Sequence, residues 1–227
     1  MDRIVFAKYA IHFAQLFHEK KQNDPVIFLS GPPGVGRSAL IEQTLRTLLN
    51  NHLIGIISNT KSDNQFYFLK EKSIAIFNEF SEEYVNTSDL KLLLEGAPII
   101  VSEKFKPSTQ INTPGQPLLH MVLISNDPIP HNAALQRRLI SFYLHPPSRT
   151  FTREEQIKYQ EETTRTAVSF ILLSNWIYFK CILKEKAEIP EKWTKIINYL
   201  STTLKDDENK KESQTSGKAE GFPKESK

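Results

Sequence analysis

The residues best suited to chemistry form one run of eight, Gly31-Pro32-Pro33-Gly34-Val35-Gly36-Arg37-Ser38. It follows the apolar run Val26-Ile27-Phe28-Leu29. It precedes a segment of helical periodicity, Ser38 to Leu49, carried by Leu40, Ile41, Leu45 and Leu48-Leu49. Strand, glycine loop and helix in that order are the setting of a Walker A phosphate loop. Glycines let backbone N–H groups turn inward toward phosphate oxygens, and the helix N-terminus adds partial positive charge. The Ser38 hydroxyl is placed to hold Mg²⁺. A chance run of glycines is the bland alternative, and the agreement of all three elements argues against it. Arg37 stands where the motif has lysine. Its guanidinium keeps the charge but is bulkier and planar, which predicts weaker nucleotide binding or slower hydrolysis.

A second segment, Ser73-Ile74-Ala75-Ile76-Phe77-Asn78-Glu79, is an apolar run that closes on two polar residues. After a phosphate loop, this is the place of a Walker B strand. There an acidic residue orients Mg²⁺ and its neighbour polarises the attacking water. Glu79 takes the water-activating position. Asn78 replaces the first carboxylate and offers an amide oxygen to metal-bound waters. Alone, a strand ending in Asn-Glu reads as ordinary core; the loop upstream reverses that reading.

The elements that must position these residues follow a βαβ rhythm. Residues 1 to about 22 read as an amphipathic helix, with Val5, Tyr9, Phe13 and Phe17 four apart and Lys20-Lys21 closing it. Strands are expected at 26–29, 53–57, 73–77, 118–124 and 139–144. A helix over Asp89–Glu95 is expected, capped by Ser88 and stopped by Gly96. After Pro146-Pro147, Thr152 and Glu155 form a capping box and the chain turns helical. The domain division is then 1–25 an N-terminal helix, 26–147 an ATPase core, 148–204 a C-terminal helical segment and 205–227 a disordered tail. In that tail lysines and acids balance and Phe222 is the one aromatic. No internal repeat is visible.

Composition narrows the function. The chain has 227 residues and a net charge of +3, so nucleic-acid binding must rest on a local patch. Its one cysteine, Cys181, excludes an intramolecular disulfide and suits a reducing, intracellular compartment. Six scattered histidines show no metal-ligand spacing, which argues against zinc. The N-terminus lacks the features of a signal peptide. The densest apolar stretch, Ala167–Leu183, is shorter than the roughly 20 residues of a membrane span. It also carries Ser169, Ser174, Asn175 and Lys180, so it reads as a buried helix and no membrane partner is expected.

Further segments resemble the superfamily 3 helicases, AAA+ type ATPases of small DNA viruses. Met121-Val122-Leu123-Ile124-Ser125-Asn126 is similar to their motif C, whose terminal asparagine senses the γ-phosphate, and it lies 95 positions beyond Gly31. Leu94-Glu95-Gly96-Ala97-Pro98, then Val101 to Pro107 and Gln110-Ile111, resemble the stretch between motifs B and C in papillomavirus helicases and parvovirus replication proteins. There a hairpin presents a Lys-x-Lys tip to single-stranded DNA. Lys104 and Lys106 match the tip, with Phe105 between them; lysines bind phosphates and an aromatic stacks on bases. Ala134 to Phe142 is similar to the arginine-finger segment. Arg138 is at the matching position, Arg137 being the alternative and surface salt bridges the bland reading. Gly55 to Ser62, with Phe66 and Phe68, resembles the stretch between motifs A and B. The resemblance covers about residues 26–145.

The resemblance implies an α/β, P-loop AAA+ type core with a central parallel sheet flanked by helices, and a short N-terminal helix. It implies a hexameric ring motor that uses ATP and Mg²⁺ to unwind DNA during viral replication. Gly31, Pro32, Pro33, Gly34, Val35, Gly36, Arg37 and Ser38 would hold the nucleotide, with Ser38 and, through water, Asn78 on Mg²⁺. Glu79, Asn126 and Arg138 would be catalytic, and Lys104, Phe105 and Lys106 would bind single-stranded DNA. The implied partners are further copies of the chain and an origin-binding or nuclease protein on another chain; the implied location is the host nucleus. Arg37 and Asn78 motivate a second reading, a degenerate pseudo-ATPase that binds nucleotide, DNA or partner proteins without efficient hydrolysis. A third, an RNA-directed enzyme like the picornavirus-type ATPases, fits the Lys-Phe-Lys segment less well.

Overall fold

Parallel strands buried on both faces must be apolar throughout, and the apolar runs here behave accordingly. A computed structural model of the chain describes residues 3–57, 65–102, 106–127, 130–146, 152–161 and 163–180, with positions 198 and 202. The strands are β1 (Val26–Ser30), β2 (Ile54–Ile57), β3 (Ile74–Phe77), β4 (Ile99–Val101), β5 (Thr109–Ile111), β6 (His120–Ser125) and β7 (Leu139–Tyr143). Among the described residues, five of them form one sheet in the order β2-β3-β6-β1-β7, and every neighbouring pair is parallel. All five residues of β1 and all four of β3 are buried, as is β6 from Met121 to Ser125. The expected α/β class, a central parallel sheet with helical connections, is what the chain adopts.

The chain divides into two compact units, His12–Ile171 and the pair of segments Met1–Ile11 and Leu172–Lys227. The first holds the sheet. Its core gathers Phe28, Phe77, Phe80, Leu90, Leu93, Leu94, Met121 and Leu123. Phe80 meets Phe77 edge-on at 5.2 Å and Phe28 at 6.3 Å between ring centres, the arrangement that ring quadrupoles favour. In the second unit Ala7, Tyr9, Ala10, Leu173, Ser174 and Ile177 are buried.

The helices depart from expectation in instructive places. Helix α1 (Arg3–Gln15) ends well before residue 22. The chain continues in tight turns, with Leu16 N, Phe17 N and His18 N donating to Phe13 O, Ala14 O and Gln15 O. Lys20 beyond them is buried, its Nζ donating to Leu119 O at 3.0 Å and Leu94 O at 3.5 Å. The segment after the glycine-rich loop opens as a π-type helix over Ala39–Gln43 and continues as α2 (Thr44–Leu48). It buries Ile41, Thr44 and Leu45, and Glu42 pairs with Arg46 at 2.9 Å on its outer side. Helix α3 (Thr87–Glu95) is capped by Asn86, not Ser88: Asn86 Oδ1 accepts from Ser88 N and Asp89 N. Gly96, in the left-handed region, ends it. Helix α4 spans Ala133–Gln136, α5 Arg153–Glu161 and α6 Thr163–Tyr178. The box that opens α5 is reciprocal: Thr152 N donates to Glu155 Oε2 at 2.9 Å, and Glu155 N donates to Thr152 Oγ1 at 3.2 Å. No described helix is long and apolar enough to cross a membrane. Cys181 and the tail 205–227 lie outside the described residues.

Candidate functional site

In an all-parallel sheet the loops that follow the strands gather along one edge, the customary place of ligands in open α/β folds. Ser30 pairs with Ser125 on one side and with Tyr143 on the other, and Phe77 pairs with Leu123. The loop Gly31–Ser38, the turn Asn78-Glu79 and Asn126 therefore emerge side by side.

The loop Gly31–Ser38 is shaped by its glycines. Gly31 sits where the end of β7 closes in: a Cβ there would lie 2.4 Å from Leu144 O, while Leu144 N donates to Ser30 O at 2.8 Å. Gly34 and Gly36 adopt φ of +80° and +86°, and a Cβ on either would meet no atom within 4 Å. The space beside them is open, as a cradle of backbone N–H groups for an anion requires. Ser38 Oγ donates to Asn78 Oδ1 at 3.4 Å. These are two hard oxygen ligands, one at a helix start and one just past β3, and they fit a Mg²⁺ that keeps most of its waters and takes phosphate oxygens as well.

The turn after β3 is held tightly to β6. Phe80 N donates to Ile124 O at 2.6 Å, Ser125 Oγ donates to Phe80 O at 2.7 Å, and Asn78 N donates to Ile57 O at 3.1 Å. Glu79 is exposed and sits at φ +54°, a left-handed conformation rare for a residue with a side chain. Arg37 reaches across to β6: Nη1 donates to Ser125 O and Nη2 to Asn126 Oδ1. Burial lowers the Arg37 pKa, and Glu79 and Tyr143 nearby oppose that shift. Tyr143 and the Ser125 carbonyl escaped the sequence reading, because neither residue type marks such a contact.

Two expected features lie elsewhere. Arg138 precedes β7 at the opposite end of the sheet, where its carbonyl accepts from Val26 N at 2.9 Å. The length of β1 separates it from the phosphate loop, about 16 Å at the rise of a strand. Its guanidinium is engaged, with Nη2 on Glu95 Oε1 and Nη1 on Ala134 O, whereas Arg137 is exposed. The expected hairpin is present as the antiparallel ribbon β4–β5, with Ile99 opposite Ile111 and Val101 opposite Thr109. Asn112 closes its base, donating to Ala97 O at 3.2 Å and accepting from Leu119 N at 2.9 Å. Lys106 Nζ lies 5.4 Å from the Tyr67 ring centre, and Phe68 and Ile100 are 67% and 78% exposed. Lys104 and Phe105 lie outside the described residues, as do positions 58–62 of the stretch between motifs A and B.

A parallel sheet with the glycine-rich loop 31–38 leaving β1, and β6 between β1 and β3, defines an open α/β fold with helical connections. Residues 29–138 match the model of a family of unknown function (DUF5906), slightly under half of the chain. No curated protein matches it. Among solved structures it is similar to the NrS-1 C-terminal region in its A apo form, at TM-score 0.55 and 17% identity, covering 85% of this chain and 46% of that one. A second apo structure of the NrS-1 C-terminal region aligns at TM-score 0.52 and 16% identity, covering 72% and 40%. A JCV helicase structure aligns at TM-score 0.48 and 12% identity, covering 90% and 61%. The chain thus spans less than half the length of these two NrS-1 chains.

Proposed function

We propose that this chain is the motor core of an ATP-dependent DNA helicase that works as a ring of identical subunits, a hexamer, in the replication of a small DNA virus. One observation carries the reading. The loop Gly31–Ser38, the pair Asn78-Glu79 and Asn126 converge on one edge of the sheet, with Ser38 Oγ 3.4 Å from Asn78 Oδ1 and Arg37 on Asn126. Bound ATP with Mg²⁺ would supply the phosphoanhydride whose cleavage drives the work.

The chain's own groups divide the task. Backbone N–H groups from Gly31 to Ser38, around Pro32, Pro33 and Val35, orient phosphate oxygens, and Arg37 adds the charge. The Ser38 hydroxyl and the Asn78 amide oxygen hold the metal's water shell. Glu79, exposed and free of the sheet's hydrogen bonds, takes a proton from the attacking water. Asn126 reads the terminal phosphate. The Arg137-Arg138 corner, at the far end of the sheet, serves a neighbouring subunit's site. Arg138 is the residue in motif register and Arg137 the exposed one.

Lys104, Phe105 and Lys106, between β4 and β5 in the sequence, contact single-stranded DNA in this reading. Support comes from the ribbon itself, from Lys106 resting over Tyr67, and from the exposed ring of Phe68 beside it in sequence. Cations interleaved with aromatic rings suit a sequence-tolerant strand-binding surface. The same reading assigns the work to the host nucleus and leaves origin binding or nuclease activity to another chain.

The test is steady-state ATP hydrolysis with and without single-stranded DNA, beside a Glu79→Gln control and a single-stranded RNA comparison. The expected result is DNA-stimulated turnover that Glu79→Gln abolishes. Absence of turnover with nucleotide still bound would overturn the motor, and a clear RNA preference would overturn the choice of substrate.

A further inference from the structure

A lysine at position 37 would end in a single point charge, whereas arginine ends in a rigid fork. Here both outer nitrogens of the fork are occupied by the end of β6, one by the Ser125 carbonyl and one by the Asn126 side chain. That end of β6 is itself secured. Asp127 N donates to Ser125 Oγ at 3.0 Å, and Ser125 Oγ donates to Phe80 O at 2.7 Å in the turn that follows Glu79. Arg37 therefore ties the phosphate loop to the end of β6, which Ser125 ties in turn to the segment after β3. Yet the loop's glycines leave open space beside the same residue. A phosphate oxygen arriving there competes for the two nitrogens that β6 holds.

We propose that Arg37 is a two-position latch. Without a phosphate it rests on Ser125 and Asn126; with one it turns to the loop and frees the Asn126 amide, so that occupancy of the loop is relayed to the end of β6. The proposal rests on the phosphate-loop reading above and deepens it. A lysine would neutralise a phosphate as a compact point charge, whereas the planar fork of arginine fixes the directions in which its two outer nitrogens hold the carbonyl and the amide. The substitution then has a physical role: it couples two loops that separate partners would leave independent. The latch carries a cost as well. Apparent affinity is lowered by the fraction of molecules in which the loop is locked.

ADP is the suitable probe, because it lacks the γ-phosphate that Asn126 would contact. Asn126→Ala removes one charge-assisted partner of the latch, so ADP affinity should rise about three- to tenfold. Arg37→Lys should shift it in the same direction, and adding Asn126→Ala to that variant should change it no further. In the nucleotide-free protein, hydrogen exchange at residues 34–38 should be faster in both single variants than in the parent. An unchanged or weaker ADP affinity in Asn126→Ala overturns the latch while leaving the phosphate loop in place. So does an equal effect of Asn126→Ala in the Arg37→Lys background. If parent and variants are all folded by circular dichroism and none binds ADP, the phosphate-loop reading fails and takes the latch with it.

Discussion

Replacing Lys20 with methionine tests how the end of α3 is joined to the start of β6. Lys20 is 5% exposed and donates to Leu119 O and Leu94 O, the latter among the last carbonyls of α3, which lack helical partners. Burial lowers its pKa from 10.5 to about 8, with Asp24 opposing the shift. Between those two values the unfolded chain holds the proton more often than the folded one, so stability rises with pH across the window. Below the folded value the cost of burying the charge is borne in full. Linkage gives a gain of about 2 kcal/mol between about pH 7 and about pH 9.5. Lys20→Met keeps the length and apolar stem but removes both the charge and the donors. Loss of the donors costs about 1–3 kcal/mol, and relief of the buried charge offsets much of that near neutral pH. Urea unfolding of both proteins across the window should give similar stabilities at the low end. At the high end the variant should have lost about 2 kcal/mol relative to the parent. Curves that stay parallel across the window would refute the reasoning.

Four other substitutions follow from the same structure. His120 is held neutral by burial, which lowers its pKa to about 4, and its Nε2 lies 2.9 Å from His18 O. The unfolded chain binds more protons as pH falls from 6.5 to that value, so stability should drop there by at most about 3 kcal/mol. His120→Gln should flatten that drop in acid-unfolding curves followed by circular dichroism. Gly31→Ala forces a Cβ to 2.4 Å from Leu144 O at a φ of +151°, a close backbone clash that should cost about 2–3 kcal/mol. Calorimetry should show a lower Tm, and an unchanged Tm would mean that β7 can move away freely. Lys106→Ala should weaken single-stranded DNA binding for every sequence and reduce the salt slope by about 0.7. Phe68→Ala should instead cost about 1–3 kcal/mol with the slope unchanged. Filter binding over a salt series separates the two effects, and identical slopes in all three proteins would remove Lys106 from the interface.

Much of the architecture was legible in the sequence because its signals are local. Continuous apolar runs mark strands buried on both faces, a glycine-rich run between strand and helix marks a tight loop, and Thr152 with Glu155 spells out its own cap. Each of these rules acts over a few residues. Asn86 rather than Ser88 capping α3 shows their limit: two good caps stood two residues apart, and only the backbone entering the helix chose between them. What tertiary structure alone decided is every partnership that crosses the sheet. Lys20 finds acceptors 74 and 99 positions away and is buried, while Lys21 beside it stays exposed. Arg138 meets Glu95 across 43 positions. Arg37 meets Ser125 and Asn126 across 88 and 89. Residue type announced a cation in each case, but its partner depends on which strand lies beside which. That order, with β6 between β1 and β3, arises from closing the whole sheet and from no single segment of the chain.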